Sequence, residues 1–514
     1  MPRDFSRRGV MTAGLAAGAA GILARPAAAA ADRPTTGGIA LTHVTVIDPH
    51  SGRILPNTTV VIRGDRIASV HRGPAPQGAT EVDLRGRFVI PGLADMHAHA
   101  QAEGIDPALN IANGVTTVRD MAGSPLARDW RDRIEAGTLL GPRYVLGSKI
   151  VDGSPSLWDP AFLDVVQVAD AGQAREAVRQ QQAAGADFVK VYTRLSRSAY
   201  RALAAEARQH GMSFAGHCPD EVPLEEAADL GQASVEHLFW TFFDTSFAER
   251  RLRAAIARIR LELGDYSGWF AAIHPLEWTA MNTHSGAKAR RVFGALVRRR
   301  TRQVPTLAVH RGIDFARTVD VAADPRNRYL PSWAVEAMEF ARQRFYLADR
   351  PVWTDAEWAA KFGRRLQVVG EMHGHGVPIM TGTDTGTVAV YPGFSVHDEL
   401  ALLVEAGLPP MAALHAATAE PARFLGSDTG RVAAGHAADL VVLDADPLSD
   451  ITNTATVSGV VVRGRYIGPD ERLRILAEVE RIAAGTPAPA GQAVPAGCPC
   501  HAPLHPRPGS GAAG

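Results

Sequence analysis

Cysteine is scarce in this chain of 514 residues, which contains only Cys218, Cys498 and Cys500. Three cysteines exclude a fold organised by a disulfide framework. Cys498 and Cys500 lie in the stretch GCPCHAPLHPRPG, whose thiols and imidazoles make a metal-binding tail one interpretation. Because proline and glycine dominate this stretch, we interpret it instead as a disordered tail.

An excess of charge is also missing, because 54 lysines and arginines balance 54 aspartates and glutamates. The zero net charge gives no electrostatic argument for a nucleic-acid partner, and we interpret the stretch RRVFGALVRRR as a solvated helix face. Outside the N-terminus no apolar run reaches the roughly eighteen residues of a membrane span. We therefore expect a globular protein whose partner is a small molecule, and the composition is compatible with a homo-oligomer.

The N-terminal residues resemble an export signal. A basic segment containing Arg7 and Arg8 precedes a weakly apolar Ala/Gly/Leu stretch, and small residues suited to A-x-A cleavage follow. The segment SRRGVM resembles a twin-arginine motif. We expect a twin-arginine-type signal peptide over 1–31, a mature chain that starts near Asp32, and export to the periplasm or the medium.

Both flanks of the remaining chain alternate β-branched and polar residues between turns, which predicts short antiparallel strands. The long middle alternates apolar strands with amphipathic helices, as in a parallel β/α barrel. We predict an α/β fold, a (β/α)8 TIM-like barrel with a small β-sandwich domain formed from both the N- and C-terminal flanks. The predicted segments are the β-sandwich domain at 38–90 and 426–467, the barrel at 91–425, a C-terminal helix at 468–485 and a disordered tail at 486–514.

Residues 240–300 depart from the β/α rhythm, because they are long, arginine-rich and helical in pattern. We expect a helical insertion or cap beside the site. The predicted barrel strands include Val115–Arg119, Arg143–Gly147, Phe188–Tyr192, Ser213–His217, Ala233–His237, Val304–Val309 and Pro378–Asp384.

Two histidines one residue apart, His97 and His99, follow a Pro-Gly pair in PGLADMHAHA. Residues i and i+2 of a strand share a face, so two imidazoles near a strand end can hold one metal ion. In a β/α barrel the functional residues lie at the carboxyl ends of strands. The motif therefore predicts further metal ligands at other strand ends.

Four more residues of the types that bind metal ions lie within or at the ends of predicted strands. Lys190 lies in FVKVYT, His217 in FAGHCP, His237 in SVEH and Asp384 in TGTDTG. A lysine inside an apolar strand is costly to bury, so we expect it to be paired or chemically modified. Together with the two histidines of PGLADMHAHA, these residues predict one metal centre.

The chain resembles the amidohydrolase superfamily of metal-dependent hydrolases, near its imidazolonepropionase-like branch, which includes prolidase-like enzymes. The resemblance extends over roughly residues 38 to 465 and rests on the ordered set HxH, Lys, His, His, Asp. It implies two divalent metal ions, for which zinc suits the ligands and manganese, iron or cobalt are alternatives. It also implies that Lys190 bridges the ions as a carbamate formed with carbon dioxide. The implied ligands are His97, His99 and Asp384 for the more buried ion, and His217 and His237 for the second.

A binuclear hydrolase of this kind would cleave an amide, peptide or other C–N bond by attack of a metal-bridging hydroxide. Asp384 would be its catalytic residue, first as general base and then as general acid. Alternatives are a mononuclear deaminase, against which Lys190 argues, and a lactone or ester hydrolase of the same superfamily. A non-catalytic barrel would have lost ligands, whereas all six are present.

Three residues are candidates for substrate contact. Tyr192 either hydrogen-bonds the substrate or packs inside the barrel, and His310 follows the predicted strand VPTLAV. Arg119 either binds a substrate carboxylate or pairs with Asp120 or another acid, and we favour the structural pair. In GSKIVDGSPSLWDP the chain lacks the Gly-Gly-His of dipeptidase-like relatives, which argues against a dipeptide substrate. Ser154, Ser156 and Trp158 are expected to form a different pocket wall.

Overall fold

A computed structural model describes residues 37–160, 163–348, 350–351 and 354–487. The predicted signal peptide and both cysteines of the predicted C-terminal tail lie outside these residues. No helix of the described ranges combines the length and the apolar character that a membrane crossing requires.

Seventeen strands occur in the described residues. They are β1 (Ile39–Asp48), β2 (Arg53–Arg63), β3 (Arg66–His71), β4 (Thr80–Asp83), β5 (Phe88–Pro91), β6 (Leu93–Ala98), β7 (Val115–Asp120), β8 (Arg143–Leu146), β9 (Ile150–Gly153), β10 (Val165–Val168), β11 (Phe188–Val191), β12 (Ser213–Gly216), β13 (Ser234–Glu236), β14 (Arg302–Val304), β15 (Leu440–Leu443), β16 (Val457–Val462) and β17 (Arg465–Ile467).

The same residues contain sixteen α-helices, together with 3-10 turns at Pro325–Tyr329 and Ile451–Ala455 and a π-helical turn at Arg342–Leu347. The helices are α1 (Asp106–Ala112), α2 (Pro125–Glu135), α3 (Ala171–Ala183), α4 (Arg197–Gln209), α5 (Leu224–Leu230), α6 (Phe239–Thr245), α7 (Glu249–Ile256), α8 (Tyr266–Asn282), α9 (Gly286–Arg299), α10 (Leu307–Asp314), α11 (Ser332–Ala341), α12 (Asp355–Gly374), α13 (Phe394–Glu405), α14 (Pro410–Ala417), α15 (Ala419–Leu425) and α16 (Pro469–Gly485).

Strands from both flanks share one eight-stranded sheet, in the order β17-β16-β15-β5-β1-β2-β3 with β4 beside β1. The hydrogen bonds of this sheet are continuous, so the described residues form one sheet here rather than two separate ones. In β15, Leu440 and Val442 pack into the sheet's own core, whereas Val441 and Leu443 pack into the main core. Burial on both faces explains why this strand is apolar throughout.

The middle of the chain has a TIM-barrel-like α/β arrangement of parallel strands. Strands β6, β7 and β8 pair in order, and a bridge between Gly147 and Phe188 leads to β11. Strands β11, β12, β13 and β14 then pair in order, with β9 and β10 beside β11. A bridge from Gln303 to Ile379 and a bond from the Met96 amide to the Thr381 carbonyl return the hydrogen bonding to β6.

Two of the predicted strands are wrong. The strand predicted at Val304–Val309 ends at its first residue, and α10 begins at Leu307 because the Glu399 carboxylate accepts hydrogen bonds from the Leu307 and Ala308 amides at 3.0 and 2.7 Å. The segment predicted at Pro378–Asp384 forms one bridge and no regular strand. Its side chains bond neighbouring strands instead, as when the Thr381 hydroxyl donates to the Ala94 carbonyl at 2.8 Å.

Helices fill two long connections of the barrel. Helices α6 to α9 follow β13, in the range where a helical insertion is predicted. The second connection follows β14 and contains α10, α11, the π-helical turn and α12. It was not predicted from the sequence. Helix α8 packs against both α12 and the π-helical turn, so the two connections form one helical region beside the barrel.

Candidate metal centre

His97 and His99 lie at the carboxyl end of β6, where the strand runs into a loop. Their Nε2 atoms are 3.4 and 3.1 Å from Oδ1 of Asp384. Candidate ligand atoms of these three buried residues all lie within 4.8 Å of one another. The geometry therefore brings together the two histidines of the HxH motif and the aspartate of TGTDTG, as the spacing argument predicts.

His217 and His237 lie beside this group, directly after β12 and β13. The ring centre of His237 is 4.8 Å from that of His97 and 4.9 Å from that of His217. All four predicted histidines are buried. The structure therefore brings the four imidazoles into one cluster.

A hydrogen bond at Nδ1 holds each of three imidazoles. Nδ1 of His97 lies 2.9 Å from the Glu236 carboxylate, and Nδ1 of His217 lies 2.8 Å from the Thr193 hydroxyl. Nδ1 of His237 lies 2.7 Å from the Thr306 hydroxyl. Such partners orient an imidazole and direct its Nε2 atom, as they do around protein-bound metals.

Lys190 lies in β11 with its side chain fully buried among these imidazoles. Burial holds the pKa of His97 well below its usual range, and the nearby charges of Lys190 and His237 lower it further. Burial, His237 and Lys190 do the same to the pKa of His217. Neutral imidazoles are the form that binds a metal ion.

Uncommon backbone conformations mark the same place. His237, Thr306 and Asp384 have φ angles of 62°, 49° and 60°, in the left-handed region that side chains other than glycine rarely adopt. Such strain is concentrated at functional sites, where the surrounding structure holds it. Gly382 allows the close approach, because a Cβ atom there would lie 2.8 Å from Cβ of His97.

Several positioning residues were missed by the sequence analysis. Among them are Thr193, Glu236 and Thr306, which hold the imidazoles, and Asp95, which bonds the Thr383 hydroxyl at 2.6 Å and amide at 3.0 Å. Burial raises the pKa of Asp95 to about 6, although the hydrogen bonds it accepts oppose the rise. The signal was weak but present, because Asp95 and Glu236 are acids inside otherwise apolar strands.

Of the substrate candidates, Tyr192 and His310 line a small cavity beside the imidazoles. The Tyr192 ring stacks on His217 with 4.0 Å between ring centres, and the His310 ring is 6.2 Å from that of His237. His310 lies on α10 and does not end a strand. Both of its ring nitrogens are buried without a hydrogen bond to the described residues.

Arg119 does not line this cavity, so its role as a substrate contact is corrected. Its fully buried guanidinium donates to Glu236 at 2.8 Å and to the Ser234 hydroxyl at 2.9 Å, and its Nε donates to the Met96 carbonyl at 2.6 Å. The structural pair is therefore with Glu236 rather than with Asp120. Through Glu236, Arg119 supports the imidazole of His97.

The cavity has a volume of about 20 Å³. Its wall contains one carboxylate and no lysine or arginine. The lining residues are Tyr192, His217, His237, Phe239, Tyr266, Trp269, Val309, His310, Ile313 and Asp384.

The predicted wall of Ser154, Ser156 and Trp158 reaches this cavity only indirectly. Trp158 stacks on Tyr266, with ring centres 4.6 Å apart, and Tyr266 lines the cavity. Ser156 donates to Asp152 at 2.9 Å, and Ser154 is exposed. The wall opposite the metal centre is therefore aromatic, and neither serine belongs to it.

Comparison with known proteins gives a family match and several related folds. Residues 355–467 match the model of the amidohydrolase family, a range that contains Asp384 but none of the four histidines. The dihydroorotase of Anaeromyxobacter sp. (strain K) is 41% identical over 70 residues. That alignment spans 13% of this chain and only 16% of the dihydroorotase.

Solved structures resemble the chain over a much longer range. The bottromycin amidohydrolase AH superposes with a TM-score of 0.69 at 24% identity, covering 88% of this chain and 91% of that one. A Xaa-Pro dipeptidase with bound methionine in its active site gives a TM-score of 0.59 at 21% identity, covering 84% of this chain and 99% of that one. At these identities the likeness shows a shared fold.

Proposed function

From the match of residues 355–467 to the amidohydrolase family and from the geometry of the site, we propose that the chain is a binuclear metal-dependent hydrolase that cleaves an amide or related C–N bond of a small molecule. One observation carries this proposal. Four buried imidazoles at the carboxyl ends of parallel strands, three of them fixed through Nδ1, lie close to a buried lysine and to the Asp384 carboxylate. Dihydroorotase, bottromycin amidohydrolase and dipeptidase relatives support C–N bonds as the target.

The donor set fits divalent metal ions. Nε2 of His97 is buried and has no hydrogen bond within the described residues. His97, His99 and Asp384 would hold one ion, and His217 and His237 would hold the second. Imidazole and carboxylate ligands suit zinc. The ions would supply a water of lowered pKa and polarise the substrate carbonyl.

We propose that Lys190, as a carbamate formed with carbon dioxide, would supply oxygen ligands to both ions. The modification replaces a buried cation with an anion, which suits a site of neutral imidazoles and metal cations. Taking a positive charge fully out of water carries a desolvation cost, which the conversion to a carbamate would remove. Lys190 is fully buried on β11, the strand between β9 and β12.

Asp384 is the proposed proton carrier. Its Oδ1 atom lies 3.1 Å from His99, inside the cavity where a substrate would bind. The carboxylate would accept the proton of the attacking water and then donate it to the leaving nitrogen. Its left-handed backbone conformation and the close approach at Gly382 fix this position. Tyr192 and His310 remain the proposed substrate contacts.

The metal proposal is tested by elemental analysis of the full chain, purified without chelator and with bicarbonate present. We expect about two metal ions per wild-type chain and clearly fewer in Lys190→Ala. Lys149→Ala is the matched control, because Lys149 pairs with Asp164 at the surface, 2.7 Å away. About one ion in all three proteins would refute the bridging lysine and favour mononuclear chemistry.

Hydrolysis itself is tested with a panel of N-acyl amino acids, dipeptides, cyclic amides and neutral aromatic amides. The cavity of about 20 Å³ has room for about one water molecule in this conformation and selects no class of amide by size or charge, so the panel includes both charged and uncharged amides. Hydrolysis must disappear with chelator and return with metal. A metal-loaded chain that hydrolyses no member of the panel, nor a lactone or ester, would refute the proposal.

Export is a separate proposal, carried by the twin-arginine-like N-terminus. N-terminal sequencing of protein recovered from the periplasm or the medium should start near Asp32. A chain recovered only from the cytoplasm with residue 1 or 2 at its start would refute it.

A further inference from the structure

A second cavity is larger than the one at the candidate metal centre. It lies in the helical region, between α8, the π-helical turn and the start of α12, and has a volume of about 490 Å³. Small-molecule sites typically measure about 300–1,000 Å³ and have mostly apolar and aromatic walls with a few polar groups. The size of this cavity therefore suits a small organic ligand.

Its walls are dominated by aromatic rings. Phe270 and Trp358 are stacked at 6.0 Å, and Phe270 meets Tyr346 edge to face at 5.3 Å. Trp278 and Phe345 complete the aromatic lining. Because these rings contact one another, a flat apolar group would pack against their combined surface rather than between two of them.

The local backbone shapes the cavity. Arg344, Phe345 and Tyr346 are consecutive, and all three line it from the π-helical turn. Such turns are rare and occur frequently at functional sites. On the opposite side Pro275 interrupts α8, and it has no amide hydrogen for the carbonyl of Ala271, which also lines the cavity.

The charges at the cavity leave one cation without an acid. Arg350 pairs with Asp355 at 3.2 Å, and Glu357 lies 3.4 Å from His274. Burial and the nearby Lys361 lower the pKa of His274 to about 3, so this imidazole is neutral near pH 7. Within the described residues Arg344 has no carboxylate in ion-pair distance. The neutral His274 also leaves Glu357 without a cation in ion-pair distance among the described residues, so an anion gains an ion pair at Arg344 on the side away from Glu357.

We propose that this cavity is a second small-molecule site, which binds a planar aromatic carboxylate with its ring among Phe270, Trp278 and Trp358 and its carboxylate on Arg344. A guanidinium binds a carboxylate through two parallel hydrogen bonds, which suits Arg344 at the edge of an aromatic cavity. Ser267 adds a buried hydroxyl without a partner in the described residues.

The site is distinct from the metal centre. Tyr266 lines the metal-centre cavity, and its ring packs on Phe270 at 6.3 Å and on Phe345 at 5.9 Å, which line the second cavity. A ligand in the second cavity would thus lie behind this layer of rings. Binding requires no turnover, so the inference stands or falls independently of the proposed hydrolase activity.

Isothermal titration of the full-length, metal-loaded protein with 1-naphthoate tests the proposal. 1-Naphthamide and 1-naphthylmethylammonium have the same ring system with no charge and with a positive charge. We expect 1-naphthoate to bind most tightly, and Arg344→Gln to weaken its binding at least about tenfold. Arg364→Gln is the matched control, because this exposed arginine lies on α12 and does not line the cavity.

A second variant, Ala271→Phe, fills the cavity from an exposed position on α8 and should abolish binding while the circular dichroism spectrum is retained. Unchanged binding in both Arg344→Gln and Ala271→Phe would place 1-naphthoate elsewhere, such as on the metal ions, and overturn the proposal. Tighter binding of the ammonium probe would also overturn it, as would no binding of any probe at about 1 mM.

Discussion

Two buried glutamates, one in the barrel and one in the helical region, have pKa values shifted in opposite directions. Burial raises the pKa of Glu399 to about 8, and the hydrogen bonds from the uncharged Leu307 and Ala308 amides only partly oppose this rise. Burial would also raise the pKa of Glu277, but the adjacent Arg365 and Lys361 lower it to about 2.

The difference shows that the two regions neutralise their buried charges in different ways. In the helical region Glu277 and Asp314 neutralise Lys361 and Arg365 internally, all four fully or almost fully buried, and the unit needs no further ion. Around the metal centre, imidazoles and carboxylates are held mostly by neutral donors and acceptors. Such a site is suited to accept positive charge from outside, which is what a metal centre requires.

The largest expected effect is on turnover. Asp384→Asn should lower kcat at least about 1,000-fold while the metal content stays near the wild-type value, because the amide cannot carry the proton. Steady-state assays with the best substrate and elemental analysis of the same sample provide the measurement. Activity within tenfold of wild type would remove Asp384 from the proposed mechanism.

The helical region should respond in stability rather than in chemistry. Glu277→Gln leaves two buried cations with only Asp314, and removal of one member of such a group costs about 3–5 kcal/mol. Urea unfolding followed by circular dichroism should show this loss, with kcat of the folded enzyme within about twofold of wild type. Exposed Glu262→Gln is the control. Equal unfolding midpoints would show that the buried charges are not coupled.

A smaller effect is expected at the imidazole supports. Thr306→Val keeps the shape but removes the hydroxyl 2.7 Å from Nδ1 of His237, and such changes weaken metal binding by about 10–100-fold. Competition with a metal-binding dye measures the affinity. The exposed Thr318→Val should leave the affinity unchanged. If both variants bind metal as the wild type does, the hydroxyl does not support the ligand.

The last prediction concerns the pH dependence of stability. Glu399 has a folded pKa of about 8, above its ordinary 4.5, so the folded state retains a proton that the unfolded state loses between these values. Its contribution to stability is therefore full below pH 4.5 and falls as the pH rises to about 8. Between pH 5 and 8 the unfolding free energy of the wild type should decline with pH more steeply than that of Glu399→Gln, by up to about 1.4 kcal/mol per pH unit. Urea unfolding at a series of pH values measures both slopes. An identical slope would contradict the shift.

The candidate ligands could be identified in the sequence because their signals are local. A histidine or lysine at the end of an apolar strand is visible within six residues, and the parallel arrangement then brings strand ends together. The supports could not be predicted in this way. Thr306 bonds His237 from 69 positions further along the chain, and Glu236 bonds His97 across 139 positions.

The errors have a similar cause. VPTLAV is apolar enough for a strand, but a carboxylate from α13 caps the amides at Leu307 and Ala308 and favours a helix. Arg119 lies at the carboxyl end of a barrel strand, where functional residues are expected. Its guanidinium nevertheless donates a hydrogen bond to the carboxylate of Glu236, which lies on a strand far away in the sequence. The second cavity was missed because its walls come from two separate connections, and only the first of these was recognised as an insertion.

The pairing of β5 with β15 has a consequence for biosynthesis. Pro91 lies opposite Leu440. Strand β5, which precedes the barrel, therefore pairs with a strand that is synthesised only after the barrel. Until then the β5 edge is a row of unpaired amides and carbonyls able to pair with another chain. Completion of the sheet must follow translation of nearly the whole polypeptide, since closure over so long a loop is slow. A nascent chain stalled before Leu440 should therefore aggregate or be degraded, whereas release of the complete chain allows the β5 edge to be covered.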